Sequence, residues 1–186
     1  ENDKLNVGTI GPEDFTVDGV APASALWFNV SNPDLRKTVF LVMGADLAAN
    51  ARPIVRLVGT VQDRAGNTAA VGQVTAADGI KPTLTVTVTG DAASRPISKS
   101  SFVVRVVSNE ALNTAPTVSA ALMTATVSNG PIFETGSVTN VVATPVSGLA
   151  NTWDATINRS ALGGVDGLVN IRVTGQDQNG NETSNG

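Results

Sequence analysis

Residues 152–181 read TWDATINRSALGGVDGLVNIRVTGQDQNGN, and residues 38–67 read TVFLVMGADLAANARPIVRLVGTVQDRAGN. The two stretches align without a gap at an offset of 114 residues, and both end in the pattern V-x-x-x-x-T-x-Q-D-x-x-G-N. Similarity at a fixed offset is the mark of a repeated structural module. The sequence therefore predicts two modules, 1–78 and 79–186, with the boundary where Asp-Gly and Pro interrupt the pattern.

Apolar and polar residues alternate over several segments, and this predicts β-strands with one buried face. Residues 82–89 read PTLTVTVT and residues 101–108 read SFVVRVVS, each with a period of two. About seven such strands per module, separated by turn residues, are typical of a β-sandwich. The residues expected to be mostly buried are Leu84, Val86, Val88, Phe102, Val104, Val106, Trp153, Ile157, Val169 and Ile171. Those expected to be more exposed are Thr85, Thr87, Arg105, Asn170 and Arg172.

The composition also favours an all-β chain and excludes several kinds of catalysis. Only 4% of the residues are aromatic, while β-branched residues, 18 Gly and 9 Pro supply strands and turns. The chain has no Cys and no His, so disulfides, thiolate metal sites and Ser–His–Asp triads are excluded. Glu13 and Asp14 are adjacent, so in a strand they would point to opposite faces. We expect no catalytic residues and a protein that is not an enzyme.

The charge distribution argues against nucleic-acid binding. The net charge is −4, and the basic residues are scattered apart from the pair Arg36-Lys37. No apolar run of about 18 residues is present, so no membrane span is expected in this fragment. We interpret the bare ends at Glu1 and Gly186 as cuts made in a longer protein.

Several motifs together resemble one family over essentially the whole chain. They are a strand that ends in S-N-E-x-L at 108–112, the strand DFTVDG at 14–19, the D-x-x-G-N hairpins and the D-x-x-x-P linker at 78–82. This combination is similar to the bacterial immunoglobulin-like repeats of large cell-surface proteins of the adhesin and S-layer type. The resemblance implies two tandem Greek-key β-sandwiches of about seven strands each, at the cell surface. The first module is expected to lack its first strand, because Glu1 aligns with a residue about 30 into the second.

The resemblance implies a non-catalytic structural or spacer role, in an S-layer lattice or an adhesin stalk. Neighbouring Ig-like modules of the same chain or lattice are then the expected partners. An alternative is a glycan- or protein-binding accessory module of a secreted or surface protein. Trp27 and Trp153 are the candidates for stacking on a sugar, although their place in apolar alternation favours core packing.

Two interpretations of the D-x-x-G-N hairpins remain open. Asp63 and Asp177 suit the first position of a type I turn, where the carboxylate accepts backbone N–H groups. Alternatively, Asp63 with Asn67 and Asp177 with Asn181 could offer hard oxygen ligands to calcium.

The sandwich topology makes the calcium interpretation specific. When the strands of such a sandwich are named A to G in chain order, the B–C and F–G loops lie at the pole where the chain arrives. Four side chains are therefore expected to converge there, those of Asp78, Glu110, Asp177 and Asn181. We predict Ca²⁺ as the cation, bound at the module junction and stiffening it, since crowded carboxylates repel one another without a cation. The expected counterparts in the first module are Glu1, Asp63 and Asn67.

Overall fold

The computed structural model describes residues 5–27, 38–89, 100–125, 132–163 and 167–185. The chain divides into two units, Glu1–Asp78 and Gly79–Gly186, and every strand pairing described in them is antiparallel. Helical structure in the described residues is limited to 3-10 turns of three or four residues. The prediction of an all-β chain is confirmed.

The first unit is built from short strands in two small sheets. Its described strands are β1 (Phe15–Val17), β2 (Ser24–Trp27), β3 (Val39–Val42), β4 (Ile54–Leu57) and β5 (Gly72–Thr75). Strands β1, β4 and β5 form one sheet in that order, and β2 pairs with β3 in the other. Apart from Pro22 and Pro53, the described part of this unit buries only two apolar side chains, those of Val17 and Val61.

The second unit has longer strands in two four-stranded sheets. They are β6 (Leu84–Thr89), β7 (Ser101–Ser108), β8 (Thr117–Ala125), β9 (Ile132–Val142), β10 (Thr144–Pro145), β11 (Thr152–Asn158), β12 (Leu168–Gln176) and β13 (Glu182–Asn185). One sheet has the order β10-β11-β7-β6, and the other has the order β13-β12-β8-β9.

Both sheets of the second unit contribute to one apolar core, which gives the unit a β-sandwich-like character. Its buried members are Leu84, Phe102, Val104, Val106, Val118, Ala120, Leu122, Ala143, Ala155, Ile157, Leu162 and Val173. Partly buried Val86, Val88, Val169, Ile171 and Trp153 pack against them. Val, Ile and Leu dominate because branched side chains pack well on a pleated surface.

The predicted strand register is confirmed in the second unit. Phe102, Val104 and Val106 are buried, while Thr85, Thr87, Asn170 and Arg172 are exposed. Arg105 is half-buried because it lies directly opposite Asp154 on β11 and forms a two-pronged ion pair. Its Nε donates to Asp154 Oδ1 over 2.9 Å, and its Nη2 donates to Oδ2 over 2.8 Å.

The Arg105–Asp154 pair is expected to stabilise the second unit in a pH-dependent way. The side-chain hydrogen bond from Arg105 holds the pKa of Asp154 below its usual value, against the opposing effect of burial. The stabilisation is therefore present above the unfolded-state pKa of about 4 and is lost as pH falls through the lower folded-state value. In thermal melts, Asp154→Asn should lower Tm by about 2–4 °C at pH 7. A difference that does not shrink as the pH is lowered from 7 towards 2 would contradict this.

Backbone pairing corrects the predicted alignment of the two modules. Leu5 pairs with Asp63, just as Leu112 pairs with Asp177. Asn6 N donates to Gln62 O over 2.8 Å, and Asn113 N donates to Gln176 O over the same distance. Leu5-Asn6 therefore corresponds to Leu112-Asn113, and the sequence counterpart of Glu110 is Asp3 rather than Glu1.

The same pairing matches the described strands of the first unit with the later strands of the second. β1 pairs with β4 as β8 pairs with β12, and β2 pairs with β3 as β10 pairs with β11. No described strand of the first unit corresponds to β6 or β7. The expectation that the first module lacks its first strand stays a prediction, since residues 1–4 and 28–37 lie outside the described ranges.

Candidate metal centre

The hairpin between β12 and β13 holds the Asp177 carboxylate in a fixed orientation. Its Oδ1 accepts hydrogen bonds from the backbone N–H groups of Asn179 and Asn181, both over 2.8 Å. Its Oδ2 accepts a third from Asn181 Nδ2 over 2.7 Å. Gly180 closes the turn with φ of +92°, a left-handed conformation that glycine adopts without a steric penalty.

The first unit repeats this hairpin with the same hydrogen bonds. Asp63 Oδ1 accepts from the N–H groups of Ala65 and Asn67 over 2.8 Å, and Asn67 Nδ2 donates to Asp63 Oδ2 over 2.7 Å. Gly66 has φ of +88°. The turn-capping role predicted for both aspartates is confirmed.

The hydrogen bonds of the two hairpins keep both aspartates ionised. Burial raises the pKa of Asp177, but hydrogen bonds from Asn181, Asn179 and Gly180 outweigh it and hold the pKa below its usual range. The side-chain and backbone hydrogen bonds from Asn67 likewise lower the pKa of Asp63. Ionised carboxylates are the form that binds a metal ion.

Glu110 is positioned by the turn that follows β7. Its backbone N–H donates to Ser108 Oγ over 3.3 Å. The preceding Asn109 is tied to Thr83 in both directions, because Asn109 N donates to Thr83 O over 3.2 Å and Thr83 N donates to Asn109 Oδ1 over 2.8 Å. Although Glu110 makes polar contacts, its Oε1 is buried and accepts no hydrogen bond in the described part of the chain.

Three carboxylates come together in this region. Asp78, directly before Gly79, offers an oxygen that lies with oxygens of Glu110 and Asp177 so that all are within 4.8 Å of one another. All three residues are buried, with exposed fractions of 6%, 6% and 0% respectively. No other group of three potential metal-ligating residues is found within the described ranges.

The arrangement fits a hard divalent cation. Calcium binds oxygen at about 2.3–2.6 Å, so two ligands on opposite sides of one ion are separated by at most about 5 Å. Three hydrogen bonds to Asp177 use three of the roughly four acceptor positions of its carboxylate, which leaves one for an ion. The remaining ligands of a six- to eight-coordinate ion would be carbonyl groups and water.

Three of the four predicted ligands therefore form the cluster, and the fourth contacts it. Asn181 donates its side-chain N–H to Asp177 and so orients that carboxylate. Ser108 and Asn109, which fix the turn that carries Glu110, were not among the predicted site residues. The S-N-E order was their only signal, because a short polar side chain can bond backbone groups two residues away.

The other candidate residues pack against apolar side chains or accept hydrogen bonds from the backbone. Trp153 packs against the core of the second unit, and the indole Nε1 of Trp27 is buried. Asp14 accepts hydrogen bonds from the backbone N–H groups of Gly11 over 2.8 Å and Thr60 over 3.2 Å. Glu1 lies outside the described residues, as does Phe28, which follows Trp27 in the sequence.

Among the described residues, no helix is both long and apolar enough to span a membrane. No family model, curated protein or solved structure matches the chain.

Proposed function

We propose that this chain is a non-catalytic structural repeat region of an extracellular bacterial surface protein, and that Ca²⁺ bound by Asp78, Glu110 and Asp177 stabilises its second unit. The buried carboxylate cluster is the observation that carries the proposal. Ionised carboxylates crowded into one buried place repel one another, and a bound cation removes that repulsion. Calcium sites of extracellular modules work at about 0.1–1 mM, concentrations that exist outside cells.

The strand order supports an immunoglobulin-like assignment. Named A to G in chain order, β6, β7, β11 and β10 correspond to the A, B, E and D strands of that fold. The other sheet, β13-β12-β8-β9, then corresponds to G, F, C and C′. Glu110 lies in the loop after strand B, and Asp177 lies in the loop after strand F. These two loops are expected at one pole of such a sandwich.

The burial of the cluster supports a structural role over a catalytic one. A carboxylate that acts on a substrate must come within hydrogen-bond reach of it. Asp78, Glu110 and Asp177 are at most 6% exposed, so a bound ion there would contact the protein and not a substrate. The repetition of the hairpin, with Asp63 in the place of Asp177, is what a spacer built from similar modules requires.

A second candidate function is the binding of a partner protein. Leu26 and Phe40 lie directly opposite each other on β2 and β3, and their exposed fractions are 43% and 41%. Val42, beside them on the same face, is 43% exposed. Adjacent exposed apolar side chains are more typical of a protein contact than of a glycan platform, which uses flat aromatic rings.

Protease treatment of intact cells of the producing bacterium tests the surface location. We expect peptides of this chain in the supernatant while the cells remain closed, with a cytosolic protein as the control that must stay intact. Calcium during digestion should reduce cleavage in 79–186, because a ligand that binds only the folded state lowers the unfolded population. Peptides that appear only after lysis would contradict the surface assignment.

A further inference from the structure

Strand β3 of the first unit has one edge with no described neighbour, whereas the same edge of its counterpart β11 is paired with β7. The repeat maps Val39–Val42 of β3 onto 153–156 of β11. β11 pairs with β10 on one side and with β7 on the other. β3 pairs with β2 on the side where β11 pairs with β10. No described strand lies on the other side of β3, where β11 has β7.

The hydrogen bonds show which residues of β3 face that edge. Val42 O accepts a hydrogen bond from Ala23 N over 2.7 Å, so the backbone of Val42 faces the β2 side. Because antiparallel strands bond through alternate residues, Val39 and Leu41 direct their N–H and C=O groups to the other edge. Their counterparts Trp153 and Ala155 lie opposite Val106 and Val104 of β7.

Few apolar side chains of the first unit are buried within the described residues. Apart from proline, the first unit buries two there, against twelve in the second. A cleft of about 420 Å³ lies at the end of β3 and is lined by apolar side chains that include Val17, Val20 and Met43. The indole Nε1 of Trp27, which lies opposite Val39, is buried with no acceptor in the described chain.

We propose that the β3 edge binds an extended segment of a partner protein that alternates apolar and polar residues as β7 does, antiparallel to Val39 and Leu41. An unpaired edge is a ready template for another strand, since main-chain hydrogen bonds give affinity and alternate side chains give specificity. β7 shows the chemistry required, because Phe102, Val104 and Val106 point inward and cover the core beside β11. The inference rests on the repeat and not on the proposed function.

A synthetic peptide with the sequence of 101–108, SFVVRVVS, is the probe. Added to the full 186-residue chain, it should slow hydrogen exchange of the Val39 and Leu41 amides. Absence of protection there at saturating peptide would overturn the proposal. So would protection that exists without peptide and rises with protein concentration, because a second copy of the chain would then be the occupant.

Two N-methylated peptides provide the matched control. Ser108 N donates to Asn151 O on the β11 side over 2.9 Å, so Val104 and Val106 also direct their N–H groups to β11. Asn109 N donates to Thr83 O on the β6 side, so the N–H groups of Val103 and Arg105 face away from β11. Methylation at the positions of Val104 and Val106 should weaken binding about tenfold or more. Methylation at those of Val103 and Arg105 should change it little, and equal affinities would overturn the proposed pairing.

Discussion

Removal of calcium with a chelator is expected to lower the melting temperature of the second unit by about 10 °C. At a hundredfold excess over Kd, a ligand that binds only the folded state stabilises it by about 2.7 kcal/mol. For a domain of roughly 100 residues, each kcal/mol shifts Tm by about 4 °C. Trp153 fluorescence in a Trp27→Phe background would report the second unit alone, because the chain has two Trp residues.

The two hairpins provide matched variants for this melt. Asp177→Asn and Asp63→Asn remove the same charge from the same hydrogen-bonded turn, but only Asp177 belongs to the carboxylate cluster. Asp177→Asn should abolish most of the calcium-dependent shift, and Asp63→Asn should retain it. If chelation left the melting temperature of the wild type unchanged, the proposed calcium binding would be contradicted.

Ile157→Ala is expected to destabilise the second unit by about 2–5 kcal/mol and to lower its Tm by roughly 8–20 °C. Ile157 is 1% exposed and belongs to the core cluster, so truncation leaves a cavity that its neighbours fill only in part. Urea titration would measure the change through the midpoint at constant m-value.

Thr156→Ala is the control for the core variant, since Thr156 precedes Ile157 on β11 and is exposed. Its effect should remain below about 1 kcal/mol, which is the span of strand propensity. If Thr156→Ala cost as much as Ile157→Ala, the strand register would be wrong, because a slip of one residue exchanges the two faces.

The sequence was most informative where the determining interactions are local. The alternation in β6 and β7 identified which side chains are buried, because side-chain direction has a period of two in any strand. The Asp177 turn was equally predictable, since its hydrogen bonds join residues two to four apart. The exposure of Arg105 was less predictable, because it depends on an ion pair with Asp154, which lies 49 residues away.

Features set by long-range pairing were harder to predict. Between Val118 and Ala120 the pairing with β9 shifts register, and Asn140 there takes φ of +55°. A bulge of this kind has no period in the sequence. The mistaken choice of Glu1 over Asp3 has the same origin, because only the pairing of Leu5 with Asp63 fixes that alignment.

Part of the candidate metal centre followed from topology. Asp78, Glu110 and Asp177 are far apart in sequence, and the expected loop positions of a sandwich placed them together. The role of Asn181 did not follow, since an amide can offer either its oxygen to a metal or its N–H to a carboxylate. The structure shows the N–H of Asn181 donating to Asp177.

Calorimetric titration of the metal-stripped chain with calcium chloride measures whether Asp78, Glu110 and Asp177 bind the ion. We expect one binding event that is retained in Asp63→Asn and lost in Asp177→Asn, with Kd no weaker than about 1 mM. Magnesium should compete poorly, since it prefers shorter bonds and a strict octahedron. No binding to the wild type, or equal binding to wild type and Asp177→Asn, would contradict the assignment of Asp78, Glu110 and Asp177 as a calcium site.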